Sequence, residues 1–196
     1  MSKYEPTERT RVRRLPDRGS YDRATVHAIL DEALIAHVGI TTPNGPVVLP
    51  LTFARIDETV YFHGAVANHL LRTAKGGTEV CLTVTLLDGL VLAKSAFHHS
   101  MNYRCVVAMG EARVVEEAEE KRLALDAIVD RVAPARSKEA RSPNDSELRS
   151  TLVLALPLVE VSAKIRTGGP IDDEADADWP ARAGVIPVRM TLERRI

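Results

Sequence analysis

Short runs of alternating apolar and polar residues recur along this 196-residue chain, and most are joined by tight turn signals rather than by helices. HVGITT and PVVLPLTFARI flank Pro43-Asn44-Gly45-Pro46, and Asn-Gly between two apolar runs is a strong hairpin signal. Pro50 puts one position of the second run at an edge or a bulge, because proline cannot donate to a ladder. A second turn, Ile56-Asp57-Glu58-Thr59, leads into VYFHG. EVCLTVTLL sets Val80, Leu82 and Val84 on one face, and GLVLAKSAFHHS follows an Asp88-Gly89 turn. NYRCVVAMGEARVVE is long enough to bend across a barrel, with Gly110 where a bulge would fall. LVLALPL and EVSAKIRT close the series. Roughly six or seven strands with so few helices predict a mainly β (α+β) chain, an antiparallel barrel with flanking helices. A doubly wound parallel sheet would need a helix after nearly every strand.

Helical spacing is confined to a few places. Ser20 or Asp22 caps a helix whose apolar face is Val26, Ile29, Leu30, Ala33 and Leu34. A second helix runs from Glu116 to Val132, with Leu123, Ala124, Ala127, Ile128 and Arg131 on one side. Residues 1–18 carry Arg9, Arg11, Arg13, Arg14 and Arg18 and few large apolar groups, so a basic, solvated or partner-draped arm is expected there. The barrel domain is expected over 19–170 and an acidic, irregular tail over 171–196. Cys81 and Cys105 lie in apolar alternating segments and are expected as buried free thiols.

The 26 basic and 27 acidic side chains leave no field that would attract nucleic acid or an anionic membrane. No apolar run reaches the roughly 18 residues that a spanning helix needs, and SKYEPTERTRVRRLP lacks the apolar centre of a secretory signal. A soluble, cytoplasmic protein is expected. With no HExxH, no CxxC and no histidine pair at helical spacing, no metal site is expected.

Three segments carry candidate chemistry. In TVYFHGAVANHLLR, residues 59–72, a strand gives way to a short helix at His63-Gly64-Ala65. Glycine before a helix lets backbone N–H groups approach an anion closely, and Asn68, His69 and Arg72 fall where they could hydrogen-bond a phosphate. Gly64 could equally serve only to turn the chain. In SAFHHSMNYR, Ser95 to Arg104, polar residues gather where one strand ends and the next begins. His98 and His99 point to opposite faces when extended, which disfavours one shared metal but leaves haem ligation by one of them open. In SAKIRTGG, Lys164 and Arg166 project from one face of the last strand.

Taken together, RGSYDRATVHAILDEA, VYFHGAVANHLLR, VTLLDGLVLAKSAFHHSMNYRCVVAMGEARVVE and ALPLVEVSAKIRTGGP resemble the pyridoxamine 5'-phosphate oxidase-like FMN-binding split barrels, in the branch of the nitroimidazole-reductase-like proteins. The likeness spans about residues 12–175. It implies FMN in a cleft between the barrels of a homodimer. Leu51 and Thr52 would line the ring edge, while His63, Gly64 and Ala65 would approach the ribityl chain and phosphate. Asn68 and His69 fall at phosphate-binding positions. Ser100, Met101, Asn102 and Tyr103 would approach from the partner subunit, with Lys164 and Arg166 adding charge. Pyridoxamine phosphate oxidases proper carry serine, arginine and lysine at the position of Ala67-Asn68-His69, so vitamin oxidation is not implied. The implied activity is electron or hydride transfer from a donor such as NAD(P)H through flavin to a small-molecule acceptor, with His69 as the candidate catalytic, substrate-facing group. The alternative is a non-catalytic carrier or sensor of flavin, deazaflavin or haem on the same barrel.

Overall fold

The computed structural model describes residues 2–68, 77 and 79–193. Its strands are β1 (Gly19–Ser20), β2 (Ile35–Thr42), β3 (Gly45–Ile56), β4 (Thr59–Ala65), β5 (Glu79–Leu92), β6 (Ser100–Glu111), β7 (Arg113–Val114), β8 (Thr151–Pro157), β9 (Glu160–Arg166) and β10 (Gly184–Pro187). The described helices are α1 (Arg23–Glu32), α2 (Ala118–Val132), α3 (Arg136–Glu139) and α4 (Asp145–Ser150). The chain is mainly β, as its patterning predicts, with more strands than expected because several are very short.

The strands form one antiparallel sheet in the order β1-β9-β6-β5-β2-β3-β4-β8-β7, with β10 added beside β5. Closure follows from one long run. Residues 100–111 lie between β5 and β9 as β6, and the same run then reaches β8 as β7, with Arg113 opposite Ala155 and Val114 opposite Leu154. The bend falls at Gly110, whose φ of +154° suits glycine. β3 likewise serves two neighbours in succession: residues 45–52 pair with β2 and residues 53–56 with β4. Phe53, Phe62, Leu82, Leu154 and Leu156 fill the interior with no exposed surface.

The two expected hairpins form, with Thr42 opposite Gly45 and Ile56 opposite Thr59. Asp22 caps α1 by accepting from the Thr25 N–H at 2.9 Å, and Val26, Ile29 and Leu30 are buried beneath the helix. α2 covers the outside of β4 and β8, where Tyr61, Val115, Ala124, Val153 and Ala155 make a second, smaller core. Leu123, expected on the packed face of that helix, is exposed instead.

Four expectations are corrected. Asp88-Gly89 is no turn: β5 runs through it with a bulge between Leu87 and Gly89. The skipped Asp88 carboxylate binds the Arg104 guanidinium, which also grips Glu32 on α1, so the extra residue supplies an ion-pair partner. The stretch expected as irregular contains β10, paired along Leu92 to Gly89. The arginine arm is docked through its buried residues Tyr4 and Thr10, while most of its arginines stay solvated. Tyr4 is 2% exposed, its N–H donates to Tyr21 O, and its hydroxyl donates to Glu58 at 2.8 Å. Cys81 is exposed and Cys105 half-buried, because both point from the outer face of the sheet.

Candidate functional site

The β3–β4 ladder ends where Phe53 meets Phe62, yet β4 continues as His63, Gly64 and Ala65 opposite Val153, Leu152 and Thr151 of β8. On the side facing β3, these three residues have no strand partner among the described residues. Their backbone groups therefore face the gap beside Leu51 and Thr52, the last β3 residues paired to β2. The gap is the split in the barrel, and the strand-to-turn seam lies along it. After Ala65, the Val66 N–H donates to Ser150 O and the Asn68 N–H to Ala65 O, so the chain turns there. The helix expected over 67–72 falls largely outside the described residues, as do His69 and Arg72.

His63 carries the clearest chemical signal at the seam. Its Nδ1 is buried and has no hydrogen-bond partner among the described residues. Burial alone lowers its pKa, so the ring is held neutral. Its strand face is that of Tyr61, whose hydroxyl donates to Glu120 of α2 at 2.8 Å. An orphaned buried imidazole nitrogen costs free energy, which makes it a group that fits a hydrogen-bonding or iron-bearing ligand.

The second set of candidates is brought together at the start of β6 and the end of β9, where Tyr103 pairs with Arg166. Arg166 is 5% exposed and Asn102 9%. Arg166 donates to the Asn102 side chain and to Gly169 O, while Asn102 Nδ2 donates to Gly168 O at 3.0 Å. Arg166 is thus a buried positive charge with amide and carbonyl acceptors and no carboxylate among the described residues. Lys164, two residues earlier, donates to Arg14 O at 3.0 Å on the arm. Ser100 is half-buried and Met101 is 53% exposed.

The two sets do not meet within one chain. Laterally, β6 is three strand spacings from β3, with β5 and β2 between them, and residues 100–103 pair with the far end of β5, at 87–91, whereas β2 joins β5 at 80–83. Sequence reasoning missed the Tyr4 anchor and the Asp88–Arg104–Glu32 network. Both depend on partners far apart in the chain, which periodicity does not reveal.

A family profile for pyridoxamine 5'-phosphate oxidase matches residues 22–165. Among solved structures, the flavocytochrome Anf3 of Azotobacter vinelandii is 39% identical, with 97% of this chain and 89% of that chain covered and a TM-score of 0.91. An FAD- and heme-binding protein of Mycobacterium smegmatis is 32% identical over 91% of this chain and 88% of its own, with a TM-score of 0.86. A Bacteroides thetaiotaomicron protein described as a candidate 5-nitroimidazole antibiotic resistance protein is 26% identical over 75% of this chain and 86% of its own, with a TM-score of 0.64. None of the curated proteins matches the chain.

Proposed function

The chain belongs to the pyridoxamine 5'-phosphate oxidase family, and from that membership we propose that it is a flavin-binding redox protein that also holds haem. The observation that carries this reading is the pair of relatives at 39% and 32% identity over nearly the whole chain, one a flavocytochrome and the other a binder of FAD and heme. The flavin is FAD or FMN, and the first of these is favoured by the Mycobacterium smegmatis relative.

A bound flavin supplies hydride and single-electron chemistry, and the protein supplies placement, hydrogen bonds and exclusion of water. The β3-facing backbone edge of His63 to Ala65, which no described strand pairs, would offer donors for the phosphate end, in the manner of strand-to-helix anion sites. Leu51 and Thr52 bound the gap on its other side. His63 and His69 are the imidazoles nearest the seam in sequence, and a neutral imidazole is the form that ligates haem iron. Arg166 offers a buried cation toward anionic groups.

A composite site would bring together two candidate sets that stand on well-separated strands of one chain. In a homodimer, Ser100, Met101, Asn102 and Tyr103 of one copy would complete the seam of the other. Exposed Ile35, Val48, Phe97 and Met101, at 53%, 60%, 88% and 53%, give such a dimer apolar surface to bury. NAD(P)H is the proposed electron donor and a small molecule the acceptor.

Mass identification of the chromophore carried by the purified protein tests the reading. Flavin together with haem is the expected result, and a preparation that takes up neither when supplied with FAD, FMN and haemin contradicts it. Steady oxidation of NAD(P)H with an added acceptor distinguishes an enzyme from a carrier that holds its cofactor without turnover.

A further inference from the structure

The N-terminal arm crosses the outer face of the sheet rather than leaving it. Its beginning is pinned. The Tyr4 ring sits under the Arg23 guanidinium at 4.2 Å, and its hydroxyl meets both Glu58 and His27. Further along, Arg9 reaches Glu79 at the start of β5 with one nitrogen and Glu160 at the start of β9 with the other. β6 lies between those two strands, so this fork spans it. Beyond Arg9, the Val12 N–H donates to the Tyr21 hydroxyl, and Arg14 O accepts from Lys164.

Two cavities flank the fork. One, of about 310 Å³, is lined by Gly39, Val48, Cys81 and Met109. The other, of about 240 Å³, lies under residues 9–13 and is floored by Cys105, Val107, Met109 and Ser162. Arg9 and Met109 line both, so the arm divides one apolar groove into two at Arg9. The fork is partly solvated, with Arg9 43% and Glu79 55% exposed. Exposed ion pairs are individually weak and fade with salt.

We propose that residues 5–14 are a strap, hinged at Tyr4 and latched by Arg9, whose release joins the two cavities and frees Lys164. The strap thereby governs access to the outer face of β5, β6 and β9. The control of Lys164 rests on the flavin reading above, whereas the movement of the strap does not.

The two thiols report on this directly, one beneath the strap and one beside it. N-ethylmaleimide labelling of the full-length protein without added cofactor, resolved by peptide mass spectrometry, follows Cys105 and Cys81 separately. Arg9→Gln is expected to label Cys105 about tenfold faster, the combined effect of losing two surface pairs. Molar salt is expected to do the same to the unaltered protein, and Tyr4→Ala to exceed both. Cys81, already exposed, should change little. Equal Cys105 rates in Arg9→Gln and the unaltered protein, at low and high salt alike, would overturn the strap. So would a parallel rise at both thiols, which signals opening of the whole sheet. A failure to bind flavin leaves these rates untouched, so the two ideas fail separately.

Discussion

His63 is half-buried, its Nδ1 is buried without a hydrogen-bond partner among the described residues, and desolvation holds its ring neutral. Replacing an unsatisfied buried polar group by an apolar one removes a desolvation cost, so His63→Leu should stabilise the cofactor-free protein by about 1 kcal/mol in urea unfolding. The same variant should bind flavin or haem more weakly, and a destabilised variant with intact binding would contradict the assignment. The pH dependence has a definite sign. A histidine whose folded pKa lies below its unfolded value of about 6.5 contributes stability above that value, and loses it as pH falls toward the folded pKa. The unfolding midpoint should therefore drop more steeply below about pH 6.5 in the unaltered protein than in His63→Gln. At this scale the sequence was partly legible. The His63-Gly64-Ala65 seam stands out because residue types switch there from strand to helix preference. Arg166 was legible only as a charge on the last strand, because its acceptors are the Asn102 amide, 64 residues away, and backbone carbonyls that no side-chain pattern betrays.

At the scale of single elements, β5 shows what local signals leave out. Asp-Gly between apolar runs usually makes a turn, yet β5 passes through Asp88-Gly89 because Arg104 holds the bulged carboxylate and β10 needs close approach. A Cβ on Gly89 would lie 2.9 Å from Val185 Cγ1 and 3.2 Å from Ile186 O. Gly89→Val should therefore push β10 off its neighbour, at a cost of about 1–3 kcal/mol. Hydrogen exchange should show lost protection at residues 184–187 and unchanged protection in β8. Preserved protection at 184–187 would mean that the close approach does not matter. The β2–β3 and β3–β4 hairpins, by contrast, were fully readable, because their turn residues and flanking alternation agree. α1 was readable for the same reason, its cap and buried face being encoded within a few residues.

For the whole molecule, the barrel was legible from the count of strands and the length of the run from Ser100 to Val114, whereas the proposed cofactor cleft came only from the family resemblance. A composite site depends on a second copy, which leaves no periodic trace in one chain. Subunit mixing tests it: His63→Leu chains mixed with Met101→Lys chains should recover flavin binding at about a quarter of the sites, since half of randomly paired dimers contain one intact site. No recovery would contradict a site shared between subunits. The account depends most on flavin being gripped where β4 leaves the barrel beside Leu51 and Thr52. Titrating FAD or FMN fluorescence with purified protein at micromolar concentration measures this directly. Saturable quenching at one flavin per chain, weakened by His63→Leu, is the predicted result; undiminished flavin fluorescence with no visible chromophore in the protein would contradict it.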